Sequence, residues 1–234
     1  MKDVVAIVLA AGEGTRMKSA SLPKVLHPIC WKPMIGYILE TIRSTGVKKI
    51  IVVTGYKSEL VKKFLGTNAN SGIKTVKQKT MAGTGDAVNC AKRILKKFKG
   101  ELIILYGDIP LITKECLENL IRRHKSTNAS CTLLTAMVKN PAGFGRIVRD
   151  DKGRVLRIVE ESDASMYEKV IEEINVGTYC FNSTDLFEAL KDIKPHKRKK
   201  PNNASSTEYY LTDAVSIFSR KGKRIESILT NNLD

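Results

Sequence analysis

The sequence predicts an α/β protein whose central, mostly parallel sheet is flanked by helices. Three observations lead there. Short β-branched runs alternate with amphipathic stretches from Val4 to Val138. Two of the runs, Val4–Ala10 and Leu102–Tyr106, are apolar throughout and read as buried strands. The composition is that of an ordinary globule, 42% apolar and 27% charged, over 234 residues, enough to bury a core without disulfides or structural metal.

In chain order, Val4–Ala10 is the first strand, followed by a helix over Ile35–Thr45 and a strand Lys49–Thr54 stopped by Gly55. Ser58–Leu65 makes a short helix and Ile73–Lys77 a short strand. A helix is expected over Asp86–Phe98, where Ala87, Ala91, Ile94 and Phe98 share one stripe. Leu102–Tyr106 then leads into the turn Gly107-Asp108-Ile109-Pro110. Thr113 caps a helix through Lys125, and Thr132–Val138 is the next strand. From there the rhythm changes. Gly143–Val159 and Glu173–Phe181 read as longer strands, with a hairpin turn at Asp151-Lys152-Gly153. Asp185–Leu190 and Tyr210–Ser219 return to helix, and Arg224–Leu229 to strand. No internal repeat and no long linker interrupts the chain, so residues 1–234 are expected to form one domain of two lobes, with a β-rich insertion at about 140–182.

Charge and cysteine usage bound the function. Forty Lys and Arg against 24 Asp and Glu leave a net charge of +16, which suits nucleic acid, an anionic membrane surface or small polyanions. Aromatics are 6% and are not interleaved with the cations, so a base-stacking surface is not expected. The densest basic run, Lys194–Lys200, reads as a solvated loop. No apolar run reaches the length of a membrane span, and Val4–Ala11 lacks the flanks of a signal peptide. The five cysteines include no CxxC pair, and four sit among apolar neighbours as buried hydrophobes do. His27, His124 and His196 make no metal-ligand spacing, so zinc is not expected, and the expected location is cytoplasmic.

In an open parallel sheet ligands bind at the carboxyl ends of the strands. After the first strand comes Ala11-Gly12-Glu13-Gly14-Thr15-Arg16-Met17, whose small residues let backbone N–H groups approach a phosphate. Arg16 adds a fork of donors and Lys24 a point charge. GxxxxGK[ST] is absent, and GxGxxG fails because Met17 occupies the third glycine position. What is left is a different phosphate loop, or an ordinary glycine-rich turn. Asp108, one residue beyond a strand, can hold a hard divalent cation or merely stabilise its turn. No nucleophile–base pair stands out. An enzyme joining a sugar phosphate to a nucleotide needs none, because the phosphate is itself the nucleophile.

The segment from Leu9 to Met17, followed by Leu22-Pro23-Lys24-Val25-Leu26-His27, resembles the signature of the nucleotidyltransferases that activate sugar 1-phosphates. Later segments narrow the likeness to the uridylyltransferase domains of bacterial N-acetylglucosamine-1-phosphate uridylyltransferases. They are Lys32-Pro33-Met34, Gln78 with Gly83-Thr84, Tyr106 to Ile112, Gly143 to Ile147, Ile158 to Glu160, Glu173 to Gly177, Asn203-Ala204 before Glu208 to Asp213, and Asn231-Asn232. The resemblance implies a Rossmann-like nucleotidyltransferase fold with a β-rich sugar-binding lobe. It also implies transfer of UMP from UTP to N-acetylglucosamine 1-phosphate, with Mg²⁺ as cofactor. By the same carry-over Leu9, Ala10, Ala11, Gly12, Gly14, Lys24, Gln78, Gly83 and Thr84 would hold the nucleotide. Arg16, Lys24 and Asp108 would be catalytic, with Asp108 and Asn231 on the metal. Tyr106, Gly107, Gly145, Glu160 and Asn175 would hold the sugar.

The sequence departs from the family pattern at Met81, Ala82 and Asp86, where Gln, Leu and His are usual, and at Trp31 and Ser162. Glucose 1-phosphate, dTTP or another triphosphate therefore stay as alternative substrates, and a noncatalytic nucleic-acid or sugar-nucleotide binding module as an alternative class. Nothing repeats at six residues, so the hexapeptide acetyltransferase domain and its trimer contacts are not expected of this chain, and a monomer or weak oligomer is. The expected partners are the two substrates, without nucleic acid or membrane.

Overall fold

The computed structural model describes residues 3–14, 17, 21–66, 72–199 and 205–230. The chain opens with β1 (Val4–Ala10), followed by a 3₁₀ turn (Lys24–Leu26) and a hairpin of β2 (Pro28–Ile29) and β3 (Lys32–Pro33). Then come α1 (Met34–Ser44), β4 (Lys49–Thr54), α2 (Ser58–Leu65), β5 (Ile73–Lys77), α3 (Thr84–Lys92) and β6 (Glu101–Tyr106). The second half runs α4 (Lys114–Thr127), β7 (Cys131–Met137), β8 (Arg146–Arg149), β9 (Val155–Val159), α5 (Met166–Lys169) and β10 (Glu173–Asn182). It ends with α6 (Ser183–Asp192), β11 (His196–Lys199), β12 (Ser205–Glu208), α7 (Asp213–Arg220) and β13 (Ile225–Leu229).

Among the described residues, nine strands make one sheet with the path β13-β7-β10-β6-β1-β4-β5, and β8 and β9 branch from β10. β1 pairs in parallel with both β4 and β6, and β4 with β5. β10 runs antiparallel between β6 and β7, so the last strand of the 140–182 segment is also a member of the central sheet. Side-chain alternation along β1 shows why the sheet is covered on both faces. Val5, Ile7 and Leu9 join one apolar cluster with α3, α6 and α7, and Val4, Ala6, Val8 and Ala10 join another with α1, α2 and α4. The helices read from the sequence bury the expected stripes; on α1 it is Ile35, Ile38, Leu39 and Ile42. Thr113 caps α4 by accepting from the Cys116 N–H at 3.2 Å.

Several expectations are corrected. The helix expected over Asp86–Phe98 stops at Lys92, because the backbone tightens into i→i−3 bonds at Ile94 and Leu95. That turn puts Leu95 in the core and leaves Ile94 39% exposed. Tyr210 and Leu211 precede α7 rather than belonging to it. Part of the basic run expected as a loop pairs as β11 with β12, from His196↔Glu208 to Lys199↔Ser205. Of the cysteines, Cys131 and Cys180 are buried, Cys90 and Cys116 half-buried and Cys30 exposed, so two rather than four are core residues. An apolar neighbour in sequence does not share a residue's face on a helix or strand. Cys30 and the fully exposed Trp31 form the tip of the β2–β3 hairpin, both in left-handed backbone. No helix among the described residues is long and apolar enough to cross a membrane.

Candidate active site

The chain leaves β1 toward α1 and β4 on one side of the sheet, and returns to β6 on the other. The carboxyl ends of β1 and β6 therefore flank the crevice where an α/β sheet binds its ligand. The Gly107 N–H donates to the Leu9 carbonyl at 2.8 Å, which keeps the two strand ends together. Gly14 has φ +67°, and a Cβ there would meet Lys24 Cβ at 2.6 Å, so only glycine lets the loop lie against that lysine. Buried Val25 and Leu26 anchor the 3₁₀ turn that Lys24 opens. Its Nζ stands 2.5 Å from Asp108 Oδ2, with both side chains partly exposed.

Leu9, Ala11, Gly12, Gly14, Lys24, Gln78, Gly83, Thr84, Tyr106, Asp108 and Glu160 line one cavity of about 490 Å³. Ala10 is buried in the sheet behind it. Arg16 and Asn231 lie outside the described residues. Met17, Val25, Met81, Ala87, Glu208 and Tyr210 also line the cavity, and none of them is among the expected site residues.

One wall is a strap from a distant part of the chain. The Tyr209 N–H donates to the Ala82 carbonyl and the Tyr209 carbonyl accepts from the Gly85 N–H, both at 2.8 Å. The Leu211 N–H donates to Thr84 Oγ1 at 2.9 Å. Gly83 (φ +92°) is where the two segments touch, and a Cβ there would lie 2.5 Å from the Tyr209 carbonyl oxygen. No local pattern in Glu208–Asp213 announces this contact, since it joins positions more than a hundred residues apart.

Of the residues expected to hold the sugar, Tyr106 and Glu160 line the cavity, whereas Gly107, Gly145 and Asn175 do not; around Glu160 lies a polar, internally bonded group. Thr212 Oγ1 donates to Glu160 Oε1 at 2.9 Å. The Asn175 amide donates to the Tyr179 phenol at 2.7 Å and accepts from the Gly177 N–H at 3.1 Å. The Tyr179 ring in turn meets the Tyr106 ring edge-on, with centroids 6.4 Å apart. Burial pushes the Tyr106 phenol up, and the charge of Glu160 adds to the effect. Gly145 lies beside both Glu160 and Asn175, its carbonyl accepting from the Asn175 N–H at 2.8 Å. The fully buried Arg146 holds this corner, bonded to the Phe144 carbonyl and, at 2.7 Å, to Glu161. The Arg146 bond, and after it the Gly143 N–H donating to Glu161 at 3.1 Å, keep the Glu161 carboxyl below its ordinary value.

The histidine reading needs one amendment. Glu101, His124 and Cys180 bring ligand-type atoms within 4.8 Å of one another, away from the cavity. Both ring nitrogens of His124 already have partners, Thr132 Oγ1 at 2.9 Å and Glu101 Oε2 at 2.8 Å, as in a satisfied core histidine.

A doubly covered α/β sheet with a glycine loop and a lysine–carboxylate pair at its switch point is the arrangement of an α/β protein with a ligand crevice at the strand ends. The chain belongs to the nucleotidyl transferase family, whose model matches residues 5–223. It is 45% identical over 230 residues to the bifunctional protein GlmU of Pelotomaculum thermopropionicum, covering 98% of this chain and 48% of that protein. With the bifunctional protein GlmU of Enterococcus faecalis it shares 42% identity over 234 residues, covering 100% and 48%. The chain thus spans about half the length of the curated relatives it matches. Among solved structures, it is similar to a UDP-glucose pyrophosphorylase complexed with UDP-glucose. The TM-score is 0.76 at 20% identity, over 95% of this chain and 89% of that one. A putative glucose-1-phosphate thymidylyltransferase from Bacillus anthracis aligns with TM-score 0.74 at 18% identity, over 97% and 87%. Both likenesses speak to the fold.

Proposed function

We propose that the chain transfers UMP from UTP to N-acetylglucosamine 1-phosphate, releasing pyrophosphate. The observation that carries the reading is the meeting of Lys24 and Asp108 beside the Gly12–Gly14 loop, in one cavity with Gln78 and Glu160. A phosphate oxygen of the sugar substrate attacks the α-phosphorus of UTP; the P–O bond to it forms as the bond to the β-phosphate bridge breaks. No side chain has to remove a proton. The protein's work is to align two polyanions and offset their repulsion.

Backbone N–H groups of the Gly12–Gly14 loop face the phosphates, and Lys24 offers them its ammonium, for which Asp108 is the resting counter-ion. Asp108 fits a hard divalent cation, since a partly exposed carboxylate oxygen already faces a positive charge at the cavity wall. With Asn231 as the second expected ligand, bound Mg²⁺ would neutralise phosphate charge. Gln78, Gly83 and Thr84 face the base, and Glu160, with Gly145, Asn175, Tyr106 and Gly107 around it, the sugar. The same reading treats residues 1–234 as one nucleotidyltransferase domain. Five free cysteines fit a reducing compartment such as the cytoplasm.

The test is a panel of triphosphates and sugar 1-phosphates scored by pyrophosphate release, with Asp108→Ala alongside the unmodified protein. UTP with N-acetylglucosamine 1-phosphate should be the best pair, and the variant should keep its fold while losing turnover. Near-normal turnover in Asp108→Ala refutes the metal role, and a better rate with glucose 1-phosphate or dTTP replaces the substrate pair.

A further inference from the structure

Asp86 lies behind the base-side wall and has no part in the chemistry described so far. The buried Gln78 side chain places its Nε2 at 3.0 Å from the Gly83 carbonyl and 2.7 Å from Asp86 Oδ2. Carbonyl and carboxylate oxygens only accept, so the NH₂ end must face them. A flipped amide would set Oε1 against two oxygen lone pairs, and the orientation follows from chemistry rather than from a choice between similar atoms. The Oε1 end is therefore turned away from both acceptors, on a residue that lines the main cavity. Asp86 instead lines a separate cavity of about 310 Å³ with Asn89, Leu190 and Tyr209.

We infer that Asp86 is a positioning residue that locks the Gln78 amide with its oxygen toward the ligand, selecting a pyrimidine whose N3 carries a proton over one whose N3 is a bare acceptor. The inference rests on the uridylyl-transfer reading and deepens it. A fixed acceptor pairs with the N3–H of uracil and opposes the N3 lone pair of cytosine. A site built this way rejects the mismatched base because a buried polar group would be left facing its own kind. Asp86 also stands in the first turn of α3, where a carboxylate favours the helix dipole. That structural role would alter stability and leave the choice between bases unchanged.

The experiment measures kcat/KM for UTP and CTP, with N-acetylglucosamine 1-phosphate and Mg²⁺, in the unmodified protein, Asp86→Ala and Asp86→Asn. Asp86→Ala should lower the UTP/CTP ratio about tenfold, because one of the two acceptors that forbid the flip is gone. Asp86→Asn can still accept through its Oδ1 and should hold the ratio within about threefold of the original. If the alanine variant is unstable, Asp86→Ser, which suits a helix start but falls short of Gln78, repeats the measurement. An unchanged ratio in the short variants, or an equal loss in Asp86→Asn, overturns the inference while leaving uridylyl transfer intact. An unmodified protein without a UTP preference overturns both.

Discussion

Replacing Gly83 by alanine tests how the site is assembled, because its cost can be worked from the strap. Gly83 has φ +92° and ψ 179°, a region that side-chain-bearing residues avoid at roughly 2 kcal/mol. The added Cβ would also sit 2.5 Å from the Tyr209 carbonyl oxygen and 2.8 Å from its nitrogen. Overpacking of this kind costs roughly 3 kcal/mol. Against that sum of about 5 stand three hydrogen bonds, Tyr209 to Ala82, Gly85 to Tyr209 and Leu211 to Thr84, each contributing about 1 kcal/mol net. The deficit of about 2 kcal/mol falls on the docked strap, so the competent fraction and the UTP affinity should both drop about thirtyfold. Gly46→Ala is the control: its φ is +80° but no atom lies within 4 Å of the new Cβ, so it should cost about 1 kcal/mol of global stability and leave UTP binding alone. Calorimetric UTP titration and hydrogen exchange at the Gly85 and Tyr209 amides read the two effects. Unchanged protection and affinity in Gly83→Ala would refute the idea that this strap completes the wall.

Other outcomes follow from pairs already described. Lys24→Met should reduce turnover about a hundredfold. Its melting temperature should barely move, since the ion pair with Asp108 is partly solvated; a stopped-assay rate within threefold of normal counts against its role. Burial pushes Glu173 up, yet the two hydrogen bonds from Arg149, at 2.7 and 2.5 Å, outweigh it and hold the carboxyl below its ordinary value. A folded-state value below the unfolded one gives stability that is full above the unfolded value and is lost as pH falls through the folded one. The urea midpoint of Glu173→Gln should therefore fall less between pH 7 and pH 3 than that of the unmodified protein. His124→Ala leaves Glu101 and Thr132 without their partner and should cost about 3 kcal/mol in urea unfolding. EDTA should leave the melting temperature of Asp108→Ala unchanged; a chelator-induced drop in that variant would point to a metal at Glu101, His124 and Cys180.

The parallel half of the fold was legible because its signals are local. β1, β4, α2 and β5 begin and end where the apolar runs and their stop signals put them. The misjudged ends have a physical cause too. Ala87 and Ala91 are set by α-helical spacing, but Ile94 and Phe98 fall beyond the point where α3 tightens, so periodicity carried past a turn chose Ile94 over Leu95. Tyr210 and Leu211 look like the start of an amphipathic helix. They form the turn that leads into α7 instead, and Leu211 gives its N–H to Thr84, a partner the window around them does not contain.

The site divides along the same line. The glycine loop and Asp108 could be found from the sequence because parallel β-strands deliver their carboxyl ends to one edge, so a residue's position relative to its own strand already locates it. Glu208, Tyr210 and Met81 could not, since the wall they build exists only once the strap crosses Ala82–Gly85. Asp86 is the sharper case. As a letter it is a departure from the family pattern at the start of a helix. In three dimensions it is one of two acceptors that fix which end of Gln78 faces the cavity. A substitution outside the cavity lining can thus keep a ligand-facing group in register through one hydrogen bond, and a list of cavity-lining residues would pass over it.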